Sequence, residues 1–442
     1  MEAKAKSNLT IGVNEDIPFG QAILLGLQHV LAMDVYVPPF IIATAVGMSS
    51  PEAAGLIQST FLGAGIASLI QVLFFLKLPV CQGPSFVPVG AIIGVFLGAR
   101  GMDTVLGASV IGAIAVVLLG FTGIYKYIVR KFIPSIVSGT IIMIVGLTLL
   151  PSAFKDNIYV TSNHLSINQN MLLAAITAAI LILFSMLGDY FPKSGKIFRI
   201  SSVIIALVLG TGIAHFMGGL DFSAVGQASF FSFPKLVFVN YGLHFDISAI
   251  LTMLIIYMVL LAETTGTWYA VSAVTEEEMT DKQINRGVIG EGLGCLVAAF
   301  SGATPVTGYS TNAGIISITG VASRKVFVMA SVWFIILSFL GKLSALINAV
   351  PTAVIGGVFA VVCVIIMLSG FRVVKNQEFS ERELYIIGVP LIVAIGLLFM
   401  PTEVTESAPQ FLQYLMASPI ALSAIVAVVM NKLIPEKKVK KA

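Results

Sequence analysis

Charge is what this chain has least of. Asp, Glu, Lys and Arg make up 11% of its 442 residues, against about 25% in soluble globular domains. Hydrophobic residues make up 57%, and the mean hydropathy is +0.99. Too little charge is present to cover a water-facing surface, so a lipid bilayer is the expected surround. Cysteine is scarce as well. Cys81, Cys295 and Cys363 stand alone in apolar sequence, an odd number without CxxC or CxxH spacing. That excludes a disulfide framework and a zinc site and leaves core filling as their role. The 4 His leave little for a metal site, and no Ser/His/Asp or Cys/His constellation is recognisable. No metal, no cofactor and no enzymatic activity are therefore expected. Met1–Asp16 is polar and lacks the apolar core of a cleavable signal, so the first apolar stretch is expected to direct insertion. The glycine-rich run at 287–294, GVIGEGLG, lacks the order of a phosphate loop and follows no strand. The basic tail Lys437–Lys441 reads as a topology anchor, and no nucleic-acid partner is expected.

What the chain does have is long apolar runs. A spanning helix needs about 20 mostly apolar residues. On that measure the sequence predicts an all-α polytopic fold of fourteen spans, near 19–45, 52–76, 80–99, 104–125, 132–150, 169–187, 200–218, 246–273, 287–303, 304–321, 326–347, 350–370, 383–400 and 410–431. Two of these are too rich in Gly, Pro, Ser and Thr to be ordinary membrane helices: Pro79–Gly90 (PVCQGPSFVPVG) and Thr304–Gly320 (TPVTGYSTNAGIISITG). Irregular backbone persists at membrane depth only where protein buries it or where it lines a cavity, so broken spans point to a transporter's binding site. They are the third and tenth spans, hence the third of each half. Seven spans per half forces the halves into opposite orientations, an inverted repeat.

Lys and Arg set the orientation. With the N-terminus placed in the cytoplasm, all of the 25 basic residues except Arg100, Lys155, Lys235 and Lys342 fall inside. Both termini are accordingly expected in the cytoplasm of a cell-membrane protein. The acidic run Glu276–Glu278 falls in a cytoplasmic connection and reads as a solvated loop.

Ionisable residues inside spans are costly and default to functional hypotheses. Glu263 sits mid-span in YMVLLAETTGTWYAVS. Flanked by Leu260, Leu261 and Ala262, it must face a cavity or a partner, and a carboxyl group withdrawn from water suits proton uptake and release. The structural alternative is a protonated Glu bonded to a neighbouring helix. Thr264, Thr265 and Thr267 add hydroxyls beside it. Gln28 and His29 suit interhelical hydrogen bonding, and His29 is expected to fasten the first span to the broken spans. Asp34, in LAMDVYVPPF, is a second buried carboxylate: a proton site, a substrate ligand, or a cap for broken backbone near Pro38–Pro39. Tyr36 follows it as a further candidate for substrate contact. Glu291 is expected at a helix end, paired with Arg286 or capping. Phe86 and Tyr309 stand at the two breaks, where a flat heterocycle could stack while exposed backbone groups and one carboxylate read its edge.

At these residues the chain resembles the nucleobase–ascorbate transporter family, the bacterial xanthine/uracil permease type, over about Gly20–Arg372. The family signature, [Gln/Glu/Pro]-Asn-x-Gly-x4-Thr-[Arg/Lys/Gly], is met at four of its five positions by Thr311-Asn312-Ala313-Gly314-Ile315-Ile316-Ser317-Ile318-Thr319-Gly320. Gln28-His29, Glu263-Thr264-Thr265-Gly266 and Gly83-Pro84-Ser85-Phe86 also look like family motifs. The resemblance implies two inverted seven-span repeats. It implies a core domain of spans 1–4 and 8–11 (residues 1–127 and 246–347) and a gate domain of spans 5–7 and 12–14 (residues 128–245 and 348–442). It implies a purine or pyrimidine base bound between spans 3 and 10, proton symport, movement of core against gate, and a homodimer through the gate domains. Carried over, Glu263 is the main base ligand and takes part in proton coupling. Phe86 and Tyr309 flank the base, Ser310 offers backbone groups, and Asn312 and His29 brace spans 10 and 1. Thr311 and Thr267 depart from the family pattern, shortening one side chain and removing an ionisable one. Asp34 is an extra carboxylate that could compensate in proton coupling. The room left by Thr311 points to xanthine or uric acid before uracil.

Two rival functions use the same fold. An anion carrier would need a fixed cation at the breaks, where none stands and where Glu263 would repel the cargo. A sensor that binds without transporting remains open from sequence. A channel would need a continuous polar ring, which is absent.

Overall fold

A computed structural model describes residues 9–162, 164–191, 195–220, 222–236, 240–309, 311–375 and 380–434. Its helices are α1 (Phe19–Ala32), α2 (Val37–Ala45), α3 (Ser50–Leu69), α4 (Val89–Gly98), α5 (Met102–Thr122), α6 (Tyr125–Phe132), α7 (Ser135–Pro151), α8 (Ile167–Tyr190), α9 (Gly195–Phe216) and α10 (Ser223–Gln227) in the first half. The second half has α11 (Ile247–Thr275), α12 (Asp281–Phe300), α13 (Thr311–Thr319), α14 (Arg324–Ser338), α15 (Gly341–Asn348), α16 (Thr352–Val374), α17 (Glu381–Leu398), α18 (Thr402–Glu406), α19 (Gln410–Met416) and α20 (Pro419–Leu433). Each of the fourteen apolar stretches is helical at least in part. Among the described residues, 6 helices are long and apolar enough to cross a membrane, or 8 if each of two bent pairs counts as one span. The chain is an all-α membrane protein.

Helix starts follow local chemistry. Asp246 accepts the amide of Ala249 at 2.8 Å and opens α11. Capping boxes join Ser49 to Glu52 before α3 and Thr280 to Gln283 before α12. Each satisfies amides that a helix's first turn cannot. The exposed Glu52 carboxylate accepts both the amide, at 2.9 Å, and the hydroxyl, at 2.6 Å, of Ser49.

Three stretches that the sequence treats as single spans are interrupted. The first divides at Met33–Tyr36 into α1 and α2. Met33 is extended there, and Pro38 sits in the first turn of α2, where a missing amide costs nothing. The eleventh bends by 83° between α14 and α15, and the fourteenth by 89° between α19 and α20. The two predicted breaks are present. Gln82–Pro84 (β1) and Val306–Gly308 (β2) are short strands, paired antiparallel with Gln82 opposite Gly308 and Pro84 opposite Val306.

Small residues let helices pack backbone to backbone. α7 lies along α16, α5 along α12, and α14 against α3 and α1. Gly146 on α7 shows how closely: a Cβ there would meet the carbonyl oxygen of Cys363 at 2.3 Å. Residues 10–17 form a strap across the loop after α13. Gly320 O accepts the amides of Thr10 and Ile11, and Ile11 O accepts from Ala322. Lys325 closes the strap on Asp16 at 2.7 Å and holds that exposed carboxyl below its ordinary range.

Candidate functional site

The site is built where β1, β2 and α11 meet. Two strands in a membrane raise the question of where their outer backbone groups bond. The inner ladder is conventional: Tyr309 N–H donates to Cys81 O at 3.0 Å and Ser85 N–H to Pro305 O at 2.9 Å. In an antiparallel pair, alternate residues turn their backbone groups away from the partner strand. Gln82 and Gly308 are such a pair, and helix hydroxyls meet them. Gln82 N–H donates to Ser68 Oγ on α3 at 2.7 Å. Gly308 N–H donates to Thr264 Oγ1 at 3.0 Å, and Gly308 O accepts from Thr267 Oγ1 at 3.0 Å. Pro84 has no amide to satisfy. Cys295 donates to Val306 O at 3.2 Å. This hydroxyl lining is why so irregular a stretch survives at that depth.

Glu263 stands on α11 next to Thr264. Its Oε2 accepts the Ser85 hydroxyl at 2.6 Å, so the carboxylate is tied to the end of β1. Its other oxygen has no hydrogen bond among the described residues, and the side chain is only half-buried. Ser85 Oγ also accepts Val87 N–H at 3.1 Å. The Phe86 amide, between them, has no backbone or side-chain acceptor among the described residues. A half-open carboxylate and an amide without an acceptor among the described residues thus belong to the same end of β1.

The aromatic residues frame this corner. The Tyr309 ring lies over Gly83, where a Cβ would meet its Cε2 at 2.4 Å; only glycine admits the ring there. The Phe86 ring lies near-parallel to that of Phe359 on α16, with 6.0 Å between centroids. Phe86 therefore sits where the broken third span faces α16.

Asn312, fully buried at the start of α13, ties the breaks together. Its Oδ1 accepts Cys81 N–H at 2.6 Å, and its Nδ2 lies 3.4 Å from Met33 Sδ in the first-span break. Asp34 is 8% exposed in that break. Its carboxylate and the Tyr36 ring lie within electrostatic reach of the Tyr309 hydroxyl, as does Glu263. The Tyr36 and Tyr309 hydroxyls are buried without a hydrogen-bond partner among the described residues. The first-span break, which sequence reading ran through as helix, thus brings Asp34 and Tyr36 to the same corner as Glu263.

Other predicted residues sit elsewhere or differently. His29 is 2% exposed, and its ring packs on Phe327 of α14 at 4.4 Å with Nδ1 unpartnered. It fastens α1 to α14 by ring contact rather than to a broken span by a hydrogen bond. Gln28 is half-buried beside it. Thr311 is exposed at the first turn of α13, and Thr267 has its hydroxyl on Gly308. Ser310 lies outside the described residues.

Glu291 corrects the expectation of a helix-end cap or an Arg286 pair. It is mid-helix in α12, 1% exposed, and accepts from Gln71 Nε2 at 2.9 Å. The signal was present in its neighbours. Gly287, Gly290, Gly292 and Gly294 bring Trp268, Gln71, Val117 and Ala67 within Cβ reach on several sides, and Glu291 is enclosed among them. Cys81, Cys295 and Cys363 are free and buried. No group of His, Cys, Asp and Glu among the described residues could hold a metal ion.

A crevice of about 250 Å³ opens beside this corner, between the start of α7 (Pro134, Ser135, Ser138) and α11 (Thr265, Gly266, Tyr269).

Comparison with known proteins shows the family. Residues 20–403 match the model of a permease family, the xanthine/uracil permeases. The uric acid permease PucK of Bacillus subtilis is 30% identical over 420 residues, covering 93% of this chain and 95% of its own. The xanthine permease XanP of Escherichia coli is 29% identical over 455 residues, covering 98% and 96%. Among solved structures, the transmembrane domain of the cyanobacterial bicarbonate transporter BicA superposes with a TM-score of 0.60 at 17% identity, covering 96% of this chain and all of that one. That likeness shows the fold.

Proposed function

The chain belongs to the nucleobase–ascorbate transporter family, and from that premise we propose that it takes a nucleobase into the cell together with a proton. It is a multi-pass membrane permease and not an enzyme. The observation that carries the reading is the Glu263–Ser85 pair next to Phe86, whose amide has no acceptor among the described residues. A carboxylate oxygen accepts ring N–H groups and an amide donates to a ring carbonyl, which is the edge pattern of an oxidised purine or of uracil. Tyr309 and Phe86 supply flat apolar faces.

Xanthine or uric acid is the proposed cargo, ahead of uracil. Thr311, shorter than the residues usual at the first signature position, leaves room for a second ring, and the permeases named above are for uric acid and xanthine. A thermal-shift screen of the purified protein against xanthine, uric acid, uracil, guanine, adenine and hypoxanthine tests this. Oxidised purines are expected to stabilise most. Preferential stabilisation by uracil reverses the order, and no stabilisation by any base removes the proposed cargo class.

Glu263, both strands and Asn312 all lie in residues 1–127 and 246–347, the proposed core. Phe359 and Ala417 belong to the proposed gate, 128–245 and 348–442. The crevice between α7 and α11 runs between those two sets, which supports access from the cytoplasmic side if both termini are cytoplasmic. Transport is then a movement of core against gate that carries the site as one unit. A homodimer through the gate domains would leave the core free to move. Gly94 on α4 supplies a test, because a Cβ there would come within 2.8 Å of Ala417 Cβ. Gly94→Cys with Ala417→Cys, once cross-linked, is expected to stop uptake, to leave base binding measurable and to recover on reduction. Full uptake after complete cross-linking overturns the moving-core mechanism.

A further inference from the structure

Thr267 poses a question that the proposed base site does not answer. It stands one turn beyond Glu263 and was a candidate ligand for the base, yet its hydroxyl is already engaged. With Thr264, one turn back on the same face of α11, it holds both backbone groups of one residue: Thr264 Oγ1 accepts Gly308 N–H at 3.0 Å, and Thr267 Oγ1 donates to Gly308 O at 3.0 Å. Gly308 is the residue before Tyr309, and it is opposite Gln82 in the sheet. Gln82 is held from the other side by its amide: Ser68 Oγ accepts Gln82 N–H at 2.7 Å, while the Ser68 hydroxyl donates to Ala64 O at 2.7 Å. The register pair Gln82–Gly308 is therefore clasped at both outer edges by hydroxyls. Gly308 itself leaves no slack. A Cβ there would meet Thr264 Oγ1 and Val80 Cγ1 at 3.1 Å. Glu263, the residue before Thr264, reaches the other strand through Ser85. One stretch of α11 thus fixes both breaks.

We propose that Thr264 and Thr267 are positioning residues, which clasp Gly308 so that Tyr309 and the base-reading carboxylate of Glu263 keep their spacing, and that Thr267 is not itself a ligand of the base. This rests on the reading of Glu263 and Tyr309 as the base site. The physical reason is the two-sided bond. An amide or a carbonyl left unbonded at this depth costs several kcal/mol, and replacing the hydroxyls leaves both groups of Gly308 without partners. The strand then shifts to find others, and every base that uses the site is affected alike. A ligand behaves differently, because its loss is felt only by bases carrying the group it contacts.

Purified Thr264→Val, Thr267→Val and the double Val variant, with Thr→Ser at each position as the conservative control, separate these roles. Dissociation constants would be measured for xanthine, uric acid and uracil. The double Val variant is expected to weaken all that the wild type binds by a common factor of ~10 or more, with the Ser variants within about twofold of wild type. Loss confined to one base in Thr267→Val makes that residue a ligand and overturns the proposal, as does unchanged affinity in the double variant. Amide exchange at Gly308 and Tyr309 is a readout independent of any base. It is expected to be slow in the wild type and in the Ser variants, and faster in the double Val variant. Unchanged exchange there also overturns the clasp. A wild type that binds none of the three bases removes the proposed function, and the exchange measurement still decides the clasp.

Discussion

Glu263→Gln is expected to abolish uptake and to weaken base binding by ~10-fold or more. The substitution is nearly isosteric, and the carbonyl oxygen of Gln can still accept the Ser85 hydroxyl now held at 2.6 Å. The end of β1 should stay in place, so a loss cannot be ascribed to an unravelled break. What changes is the second position. A carboxylate there accepts a ring N–H, whereas the amide group of Gln presents N–H to N–H. A hydrogen bond to a charged group contributes roughly 1.5–3 kcal/mol, and each ~1.4 kcal/mol is a factor of ten in affinity. The variant also removes the side chain's ability to carry a proton, so uptake should fall further than binding. Uptake of labelled base by cells expressing equal amounts of each protein measures the first, and titration of purified protein the second. Uptake at the wild-type level takes Glu263 out of the mechanism.

The same substitution marks how far sequence reading goes. Glu263, Asp34 and the two breaks were legible because each violates what lipid permits: a carboxylate among leucines, or Gly, Pro, Ser and Thr in an apolar run. Violations of solvent rules are visible in one dimension. The first-span break was legible only in part: broken backbone near Pro38–Pro39 was one of the roles open to Asp34, but the apolar content is high enough for unbroken helix and the stretch reads as a single span. The bend after Met416 has a local mark that went unread, Ser418 capping the amide of Ala421 with Pro419 at the first helical position, and the helix after the bend at Ser338 opens on Gly341. Glu291 was misread for a different reason. Its distance along the chain from Arg286 suggested a helix end, but α12 starts at Asp281 and runs on through both. The glycines around it, taken as general packing surface, are what bury it. The roles of Ser68, Thr264 and Thr267 were not legible at all. Each serves a backbone group that becomes an outer edge only once β1 and β2 have paired, and the register of that pair is not written locally.

Asp34→Asn is expected to retain base binding and exchange but to lose accumulation against a gradient. The variant keeps the shape of a side chain that is 8% exposed in the first-span break and removes only its charge and its capacity for a proton. Asp34 and Glu263 both lie within electrostatic reach of the Tyr309 hydroxyl, from α1–α2 and from α11 respectively. Shared coupling holds that a proton taken up at that corner is felt by both carboxylates. Coupling matters because a neutral base gains nothing from the membrane potential by itself. One positive charge carried inward with it gains about 2.3 kcal/mol per 100 mV, which corresponds to roughly a 50-fold concentration ratio at that potential. Shared coupling predicts that Asp34→Asn equilibrates labelled base across proteoliposomes, counterflows normally and shows no uncoupler-sensitive accumulation. If Glu263 carries the proton alone, the variant should accumulate base as the wild type does, with the same pH dependence, and Asp34 then serves the break structurally. Sodium-dependent accumulation by the wild type would replace the proton with a different coupling ion and leave the binding corner as described.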